Sequence, residues 1–356
     1  MDDKVAVAPR ITEPLEILKA RKGIERRPIL PIIELSVLVL FAVLPLIVAD
    51  YLTVFFTRVL ILSLLAISFD LVWGYAGILS FGQALFYGTA AYSVALMARD
   101  LGITSIFIVL PAALLIGLVL SYLIACFLLL GRRQPTVIFV ALGTLTGAYA
   151  ADRLARGWYY LGGQNGIPSI PQMTLGSYEF DQGSVYYYLA FVMLVVVYAG
   201  CRFLVRSQFG LALAGIREQE ARISFFGYKV QTIKTIVFSL AGAIAGLAGG
   251  LYAFHEGFVW PNMLGVILST QVVLYTLFGG VGTLIGAVIG VIAIEVMSYI
   301  LADNYQQIWP ILLGVLLLAV IMLRPTGLVS LIVSERERIG DFEPSRGRRA
   351  RWRWGR

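Results

Sequence analysis

Residues 206–234 read RSQFGLALAGIREQEARISFFGYKVQTIK, a polar island between two apolar runs. Five basic residues, Arg206, Arg217, Arg222, Lys229 and Lys234, outnumber Glu218 and Glu220. A loop with this excess faces the cytoplasm when the runs on either side cross a membrane. Within the island Phe209, Leu213, Ile216, Ile223 and Phe226 recur at spacings of three, four and seven, with Glu220 interrupting the row. That pattern predicts a short amphipathic helix, and Gly227 is placed to end it. A helix outside the bilayer must cover its oily stripe. The chain offers no soluble domain for this, so the stripe predicts a separate partner.

Composition agrees on the class. Hydrophobic residues make up 59% and charged residues 14%, against roughly 45–50% and about 25% in soluble domains. Mean hydropathy is +0.84. These values predict an all-α, polytopic membrane protein. Since about 20 apolar residues cross a bilayer core, the uncharged runs predict about ten transmembrane helices. They are 31–50, 52–73, 79–98, 104–130, 136–155, 184–204, 234–254, 264–282, 283–302 and 307–323. The charge-free run 257–294 must hold nearly two of them, and Gly279, Gly280 and Gly282 mark the break. Three sections follow: a basic tail at 1–28, a membrane domain at 29–333 and a second basic tail at 334–356. The first tail is polar and mixed in charge, and no cleavable leader is expected in it.

Lys and Arg set the orientation. Lys19, Arg21, Lys22, Arg26 and Arg27, the Arg132–Arg133 pair, the 206–234 island and the C-terminal RGRRARWRWGR fall on one side when the span count is even. Both termini are then cytoplasmic, and the loop 157–183 is external. Arg99, Arg153 and Arg156 fall outside, two of them beside the acids Asp100 and Asp152.

The glycines carry two messages. Gly242, Gly246 and Gly250 are spaced by four, as are Gly282, Gly286 and Gly290. Small residues four apart let helix backbones approach closely in lipid, where burial from water no longer drives association. The run FDLVWGYAGILSFGQALFYGTAAY, 69–92, differs. It scatters Gly74, Gly77, Gly82 and Gly88 among apolar residues, with Asp70, Ser80 and Gln83 interleaved. Glycine-interrupted hydrophobic segments point to a discontinuous helix beside a transport path. TLFGGVGTLIGAVIG, 276–290, has the same texture, which adds Gly280, Gly282 and Thr283 to the candidate path. Tight packing alone explains the same glycines. The ionisable residues within spans are read as Asp70 and Glu295. A charge at mid-bilayer costs roughly 2.5–3.5 kcal/mol on insertion scales, so each marks a candidate site or a satisfied helix contact.

Several chemistries are excluded by absence. No GxxxxGK[ST], HExxH or GxSxG occurs, so neither an enzyme nor a bound cofactor is expected. His255 is the sole histidine, and one histidine beside Glu256 at a helix end makes a surface residue, not a metal site. Cys126 and Cys201 lie inside apolar spans and read as small buried hydrophobes. The six Arg of the terminal RGRRARWRWGR, following a last span, meet anionic lipid head groups and not nucleic acid.

Taken in order, GYAGILSFGQALFYGTAAY (74–92), LGGQNGIPSIP (161–171), the island, FSLAGAIAGLAGGLYAFHEGFVWP (238–261), LFGGVGTLIGAVIG (277–290) and RPTGL (324–328) resemble the permeases of branched-chain amino acid ABC importers, the LivM type of the LivHM group, which is related to the urea permeases. The resemblance covers roughly residues 30–330. It implies a second similar permease subunit, two cytoplasmic ABC ATPases and a periplasmic solute-binding protein in the bacterial inner membrane. It also implies that 206–234 is the loop that couples to the ATPases. Ile216, Arg217, Glu218, Glu220, Ala221 and Gly227 carry the match there. The segment GRRQPTVIFVALGTLTGAYAADRL, 131–154, departs from the usual family pattern, which opens the choice of solute to urea, amides or other small polar molecules. A stand-alone secondary transporter or channel is the alternative from another class. It would call for paired midplane charges and strong inverted repeats. The purified chain, free of partner subunits, should hydrolyse no ATP; vanadate-sensitive turnover by that preparation would contradict this reading.

Overall fold

Nine of the ten expected spans form helices in the computed structural model, which describes residues 29–131, 136–305, 311, 314–315 and 327. Both tails, the Arg132–Arg133 pair, most of the run 307–323 and RPTGL apart from Gly327 lie outside the described residues. In chain order the helices are α1 (Ile29–Ile47), α2 (Asp50–Asp70), α3 (Gln83–Leu101), α4 (Ile106–Leu129), α5 (Val137–Gly157) and α6 (Ser184–Arg206). The amphipathic helix α7 (Gln208–Phe225) follows, then α8 (Val230–Glu256), α9 (Val266–Gly279) and α10 (Ile285–Tyr305). Among the described residues the only strands are β1 (Thr174–Leu175) and β2 (Tyr178–Glu179), an antiparallel pair. Local chemistry sets the ends. Thr136 Oγ1 accepts from the Phe139 amide at 3.3 Å and Ser207 Oγ from that of Phe209 at 3.2 Å, starting α5 and α7. Gly102 and Gly257, at φ +64° and +66°, close α3 and α8 in the left-handed conformation that suits glycine.

Burial separates centre from rim. In α8, 89% of the most apolar 18-residue stretch is buried, and in α2 72%, against 22% in α5 and α6. The rim helices turn Phe107, Phe127, Ile138 and Phe203 outward, each more than two-thirds exposed on the single chain. In a bilayer such faces meet acyl chains. Five described helical segments are long and apolar enough to cross a membrane.

The centre closes through backbone contact. α4 lies along α8, and Ala113, Gly117 and Ser121 meet the Gly242, Gly246 and Gly250 face. A Cβ added to Gly246 would stand 2.8 Å from Gly117 Cα. Ser121 Oγ also donates to the Ser239 carbonyl at 3.1 Å, an interhelical bond that lipid cannot supply. The α9–α10 hairpin uses the same device: a Cβ on Gly279 would meet Gly290 N at 2.9 Å, and one on Gly286 would meet the carbonyl of Gly280 at 2.6 Å.

The loop 157–183 folds over one end of the bundle. Ile167 pairs with Val259 across two backbone bonds of 2.8 and 3.1 Å, and the Ile170 amide donates to the Gly257 carbonyl at 2.9 Å. Arg99 and Arg156 lie at this end, paired with Asp100 and Asp152. α7 lies at the opposite end.

Some expectations are corrected. The 79–98 span begins only at Gln83, because residues 76–82 leave the helix. The 264–282 span is a 14-residue helix, about 21 Å long, short of the ~30 Å hydrocarbon layer. His255, expected at the surface, is buried: its Nε2 lies 3.1 Å from the Val54 carbonyl, its ring stacks on Tyr186, and Gln182 of the covering loop bonds its carbonyl. Cys201 is buried and Cys126 partly so, and both are free thiols.

Gly246→Leu should force α4 and α8 apart at a cost on the order of 1–3 kcal/mol. The expected result is a lower thermal midpoint and poor yield in detergent. An unchanged midpoint would mean that this contact does not hold the bundle.

Candidate functional site

The two glycine-rich stretches meet at the α7 end of the bundle. α2 ends at Asp70 and continues as a π-helical turn, Leu71–Tyr75. Gly77 then turns the chain at φ +70°. On the other side α9 stops at Gly279, and residues 280–284 form a loop before α10. A Cβ on Gly74 would sit 2.6 Å from Gly282 N and 2.8 Å from Gly282 Cα, so the backbones touch. Only glycine fits there.

Asp70 ties the junction. Its Oδ1 accepts from the Gly282 amide at 2.6 Å and its Oδ2 from the Leu284 amide at 2.9 Å. The fully buried carboxylate thus caps the N-terminus of α10 from another helix, where negative charge is favoured. Leu284 sits at φ +53°, a strained value for a branched side chain. Its bond to Asp70 helps hold that conformation. A Cβ on Gly327, in the RPTGL motif, would meet the backbone of Gly280, so Gly327 packs on the same loop.

α7 reaches the junction through one side chain. Arg217 lies along Gly77 and donates from Nη1 to the Gly74 carbonyl, at the C-terminal side of the broken α2. The same nitrogen would stand 3.3 Å from a Cβ on Gly282. Ile216 and Leu213 are buried and Phe209 is half-buried. The chain therefore covers the first half of the stripe itself, which corrects the expectation that only a partner could do so. α7 then kinks at Gln219, whose φ is −150° and ψ 85°. Glu220 pairs with Lys234 at 2.6 Å, fastening the second half to the start of α8. Glu218 and Ala221 are exposed, and Gly227 turns at φ +85°. Past the kink Phe225 is 89% and Phe226 78% exposed, with Tyr228 beside them. The uncovered end of the stripe is this tip, and Leu211 before the kink is exposed as well.

The other candidate path residues lie inside the packed junction. The Gly82 amide donates to Ser80 Oγ at 3.1 Å, and Ser68 Oγ donates to Gln83 Oε1 at 3.2 Å. Thr283 Oγ1 donates to the Gly280 carbonyl at 2.9 Å and accepts from the Gly286 amide at 3.1 Å. The unwound segment is held by α5 and α9: the Phe81 amide donates to Thr144 Oγ1 at 3.0 Å, and Ser269 Oγ donates to the Phe81 carbonyl at 2.6 Å. Ser80, Gln83 and Thr283 are all buried in this conformation. Glu295 accepts from the Tyr275 hydroxyl.

Arg58 escaped the sequence reading. It lies in the largely apolar α2, between Thr57 and Val59, and is exposed on the surface of the single chain. Its neighbours Tyr252, Gln271 and Tyr275 come from α8 and α9. A lone charge inside an apolar run was the available signal.

Comparison with known proteins agrees with this architecture. The family described as branched-chain amino acid transport system / permease component matches residues 51–323. The high-affinity branched-chain amino acid transport system permease protein LivM of Salmonella typhimurium is 27% identical over 296 residues, covering 77% of this chain and 68% of that protein. A probable branched-chain amino acid transport permease protein LivM of Methanocaldococcus jannaschii is 23% identical over 311 residues, 75% of this chain and 89% of its own. The autoinducer 2 import system permease protein LsrC of Enterobacter sp. (strain 638) is 29% identical over 227 residues, 60% of this chain and 63% of its own. No solved structure matches the chain. With most of its membrane domain matched, this chain belongs to the family of branched-chain amino acid transport system permease components.

Proposed function

We propose that the chain is the permease subunit of an ATP-driven importer for branched-chain or related amino acids. Both termini and α7 are cytoplasmic, a second permease completes the path, and two ATPases dock on the exposed tip of α7. A periplasmic binding protein delivers the solute. One observation carries the coupling reading: Arg217 joins the partner-facing helix to the Gly74 carbonyl at the broken end of α2. The tip offers Phe225, Phe226 and Tyr228 outward, a surface of the kind an aromatic-lined partner groove buries. ATP-driven closure of the ATPases would move the tip. The Glu220–Lys234 pair keeps that motion from being lost at the kink, and Arg217 passes it to the Asp70 junction. The path then tilts open to one side and then the other.

A second reading concerns the solute alone. The autoinducer 2 import permeases among the relatives favour a small polar molecule that is not an amino acid. Uptake of radiolabelled L-leucine by the assembled complex, competed with non-amino-acid solutes, decides between them.

Two substitutions test the coupling. Arg217→Ala should leave ATP hydrolysis by the complex within about twofold while uptake falls at least about tenfold, since one charge-assisted bond of roughly 1.5–3 kcal/mol is removed. Normal uptake by this variant would break the link. Glu220→Lys should likewise stop uptake, and adding Lys234→Glu should restore much of it by rebuilding the pair. No recovery, with the ATPases still bound, would mean that Glu220 touches the ATPase directly.

A further inference from the structure

Arg58 opens a question that the coupling machinery does not answer. It lies eight residues into α2, about 12 Å from the helix start and so within the ~30 Å hydrocarbon layer. No hydrogen bond or ion pair holds its guanidinium among the described residues. Yet it stands on the surface of the single chain. A bare guanidinium cannot face lipid at that depth without a large penalty. It must face water, a partner or a ligand.

The surroundings favour a ligand. Arg58 lines a cavity of about 270 Å³, near the lower end of the range for small-molecule sites. Tyr87 also lines it. That residue is 1% exposed, and its hydroxyl has no partner. A buried hydroxyl without a partner loses free energy unless something enters to bond it. Gln271, on α9, is exposed at the cavity's edge. Thr270 beside it is exposed as well, so two polar side chains stand with the exposed Ile267 on this face of α9. Leu62, one turn along α2 from Arg58, and Ile267 and Leu268 of α9 supply the cavity's aliphatic lining. Two carboxylates, Glu256 and Glu295, act on Arg58 electrostatically without pairing with it. Glu295 is already engaged by Tyr275.

From this we infer that the cavity between α2, α3, α8 and α9 is a binding site for a small carboxylate with an aliphatic side chain. Arg58 and the Tyr87 hydroxyl receive the carboxylate. A planar guanidinium fork matches a carboxylate in two parallel bonds. An ammonium group on the same solute would turn toward Glu256 and the aromatic faces of Tyr252 and Trp260, which attract cations. The aliphatic chain rests on Ile267 and Leu268. The site lies at the end of the bundle covered by loop 157–183, away from the Asp70 junction. Solute would therefore meet it before the junction on an inward route. The identity of the solute as an amino acid rests on the import reading; the carboxylate does not.

The test uses the assembled complex with Cys126→Ser, Cys201→Ala and Gln271→Cys. A small methanethiosulfonate reagent should modify the new thiol. L-Leucine and 4-methylpentanoate, which keeps the carboxylate and lacks the ammonium, should slow that modification. Isoamylamine, which keeps only the amine, should not at the same concentration. Adding Arg58→Gln should raise the half-protecting concentration of 4-methylpentanoate at least about tenfold, as expected for losing a charge-assisted pair. Arg58→Lys should fall between. Three results would overturn the site: an unreactive thiol in every nucleotide state, equal protection by the amine, or protection unchanged by Arg58→Gln. If the Arg58→Gln complex fails to assemble, the carboxylate-against-amine comparison with Arg58 intact decides alone. L-Leucine uptake by the same complex separates the two readings. Protection without uptake keeps the site and removes the import reading; uptake without protection does the reverse.

Discussion

Backbone that leaves the helix inside a membrane must find its partners within the protein. This chain leaves the helix twice, after Tyr75 and after Gly279, and brings the two breaks together. Asp70 makes the arrangement possible by accepting from two amides of the second break. A neutral side chain of the same size could not accept at both oxygens. The acid in turn is tolerable in a buried place because those amides, and the start of α10, meet its charge. Gly74 and Gly282 then approach to backbone contact, and Arg217 closes the remaining carbonyl. Remove the carboxylate and the Gly282 and Leu284 amides of the second break lose their partner.

The close packing around the junction bears on how a force would travel. α4 on α8, and α9 on α10, are held through glycines whose neighbours are backbone atoms. Side chains yield by changing rotamer, whereas backbone against backbone has no such freedom. On the proposed coupling, a displacement delivered at Arg217 would move the loop 280–284 and the end of α2 together. The helices at the rim turn large apolar side chains outward. A stiff centre within a soft rim suits a subunit driven from outside the membrane, since little of the imposed motion is dissipated.

Much of this was legible in the sequence, for a simple reason: the bilayer demands long apolar runs, so hydropathy alone located nine helices. What failed had physical causes. The starts and stops near Gln83 and Gly279 were misplaced because glycine-rich backbone is as apolar as the helices beside it. Ala113, Gly117 and Ser121 were passed over because only one member of that row is glycine, yet α8 needs all three as its complement. His255 looked exposed through its neighbour Glu256; the loop 157–183 covers it, and a contact so distant in sequence leaves no local trace. The stripe on α7 was seen correctly, but its cover lies in α6, α8 and the broken end of α2, which periodicity cannot show. Arg58 was missed because a single charge barely lowers the hydropathy of a 26-residue apolar stretch.

The intramembrane charges sort themselves by their partners. Glu34 pairs with Arg202 and accepts from Tyr198, fastening α1 to α6. Asp70 holds amides, and Glu295 holds Tyr275. Each of these is settled within the chain, so each explains its own place through structure. Arg58 is the intramembrane charge for which the described residues supply no direct partner. A permanent internal counter-ion would cancel its attraction for a passing anion. The more distant carboxylates Glu256 and Glu295 temper its field without occupying its donors. Such a site would bind its solute weakly enough to release it, which a path needs more than it needs affinity. Tight capture belongs to a delivery protein, and a strong site inside the membrane would only slow transport.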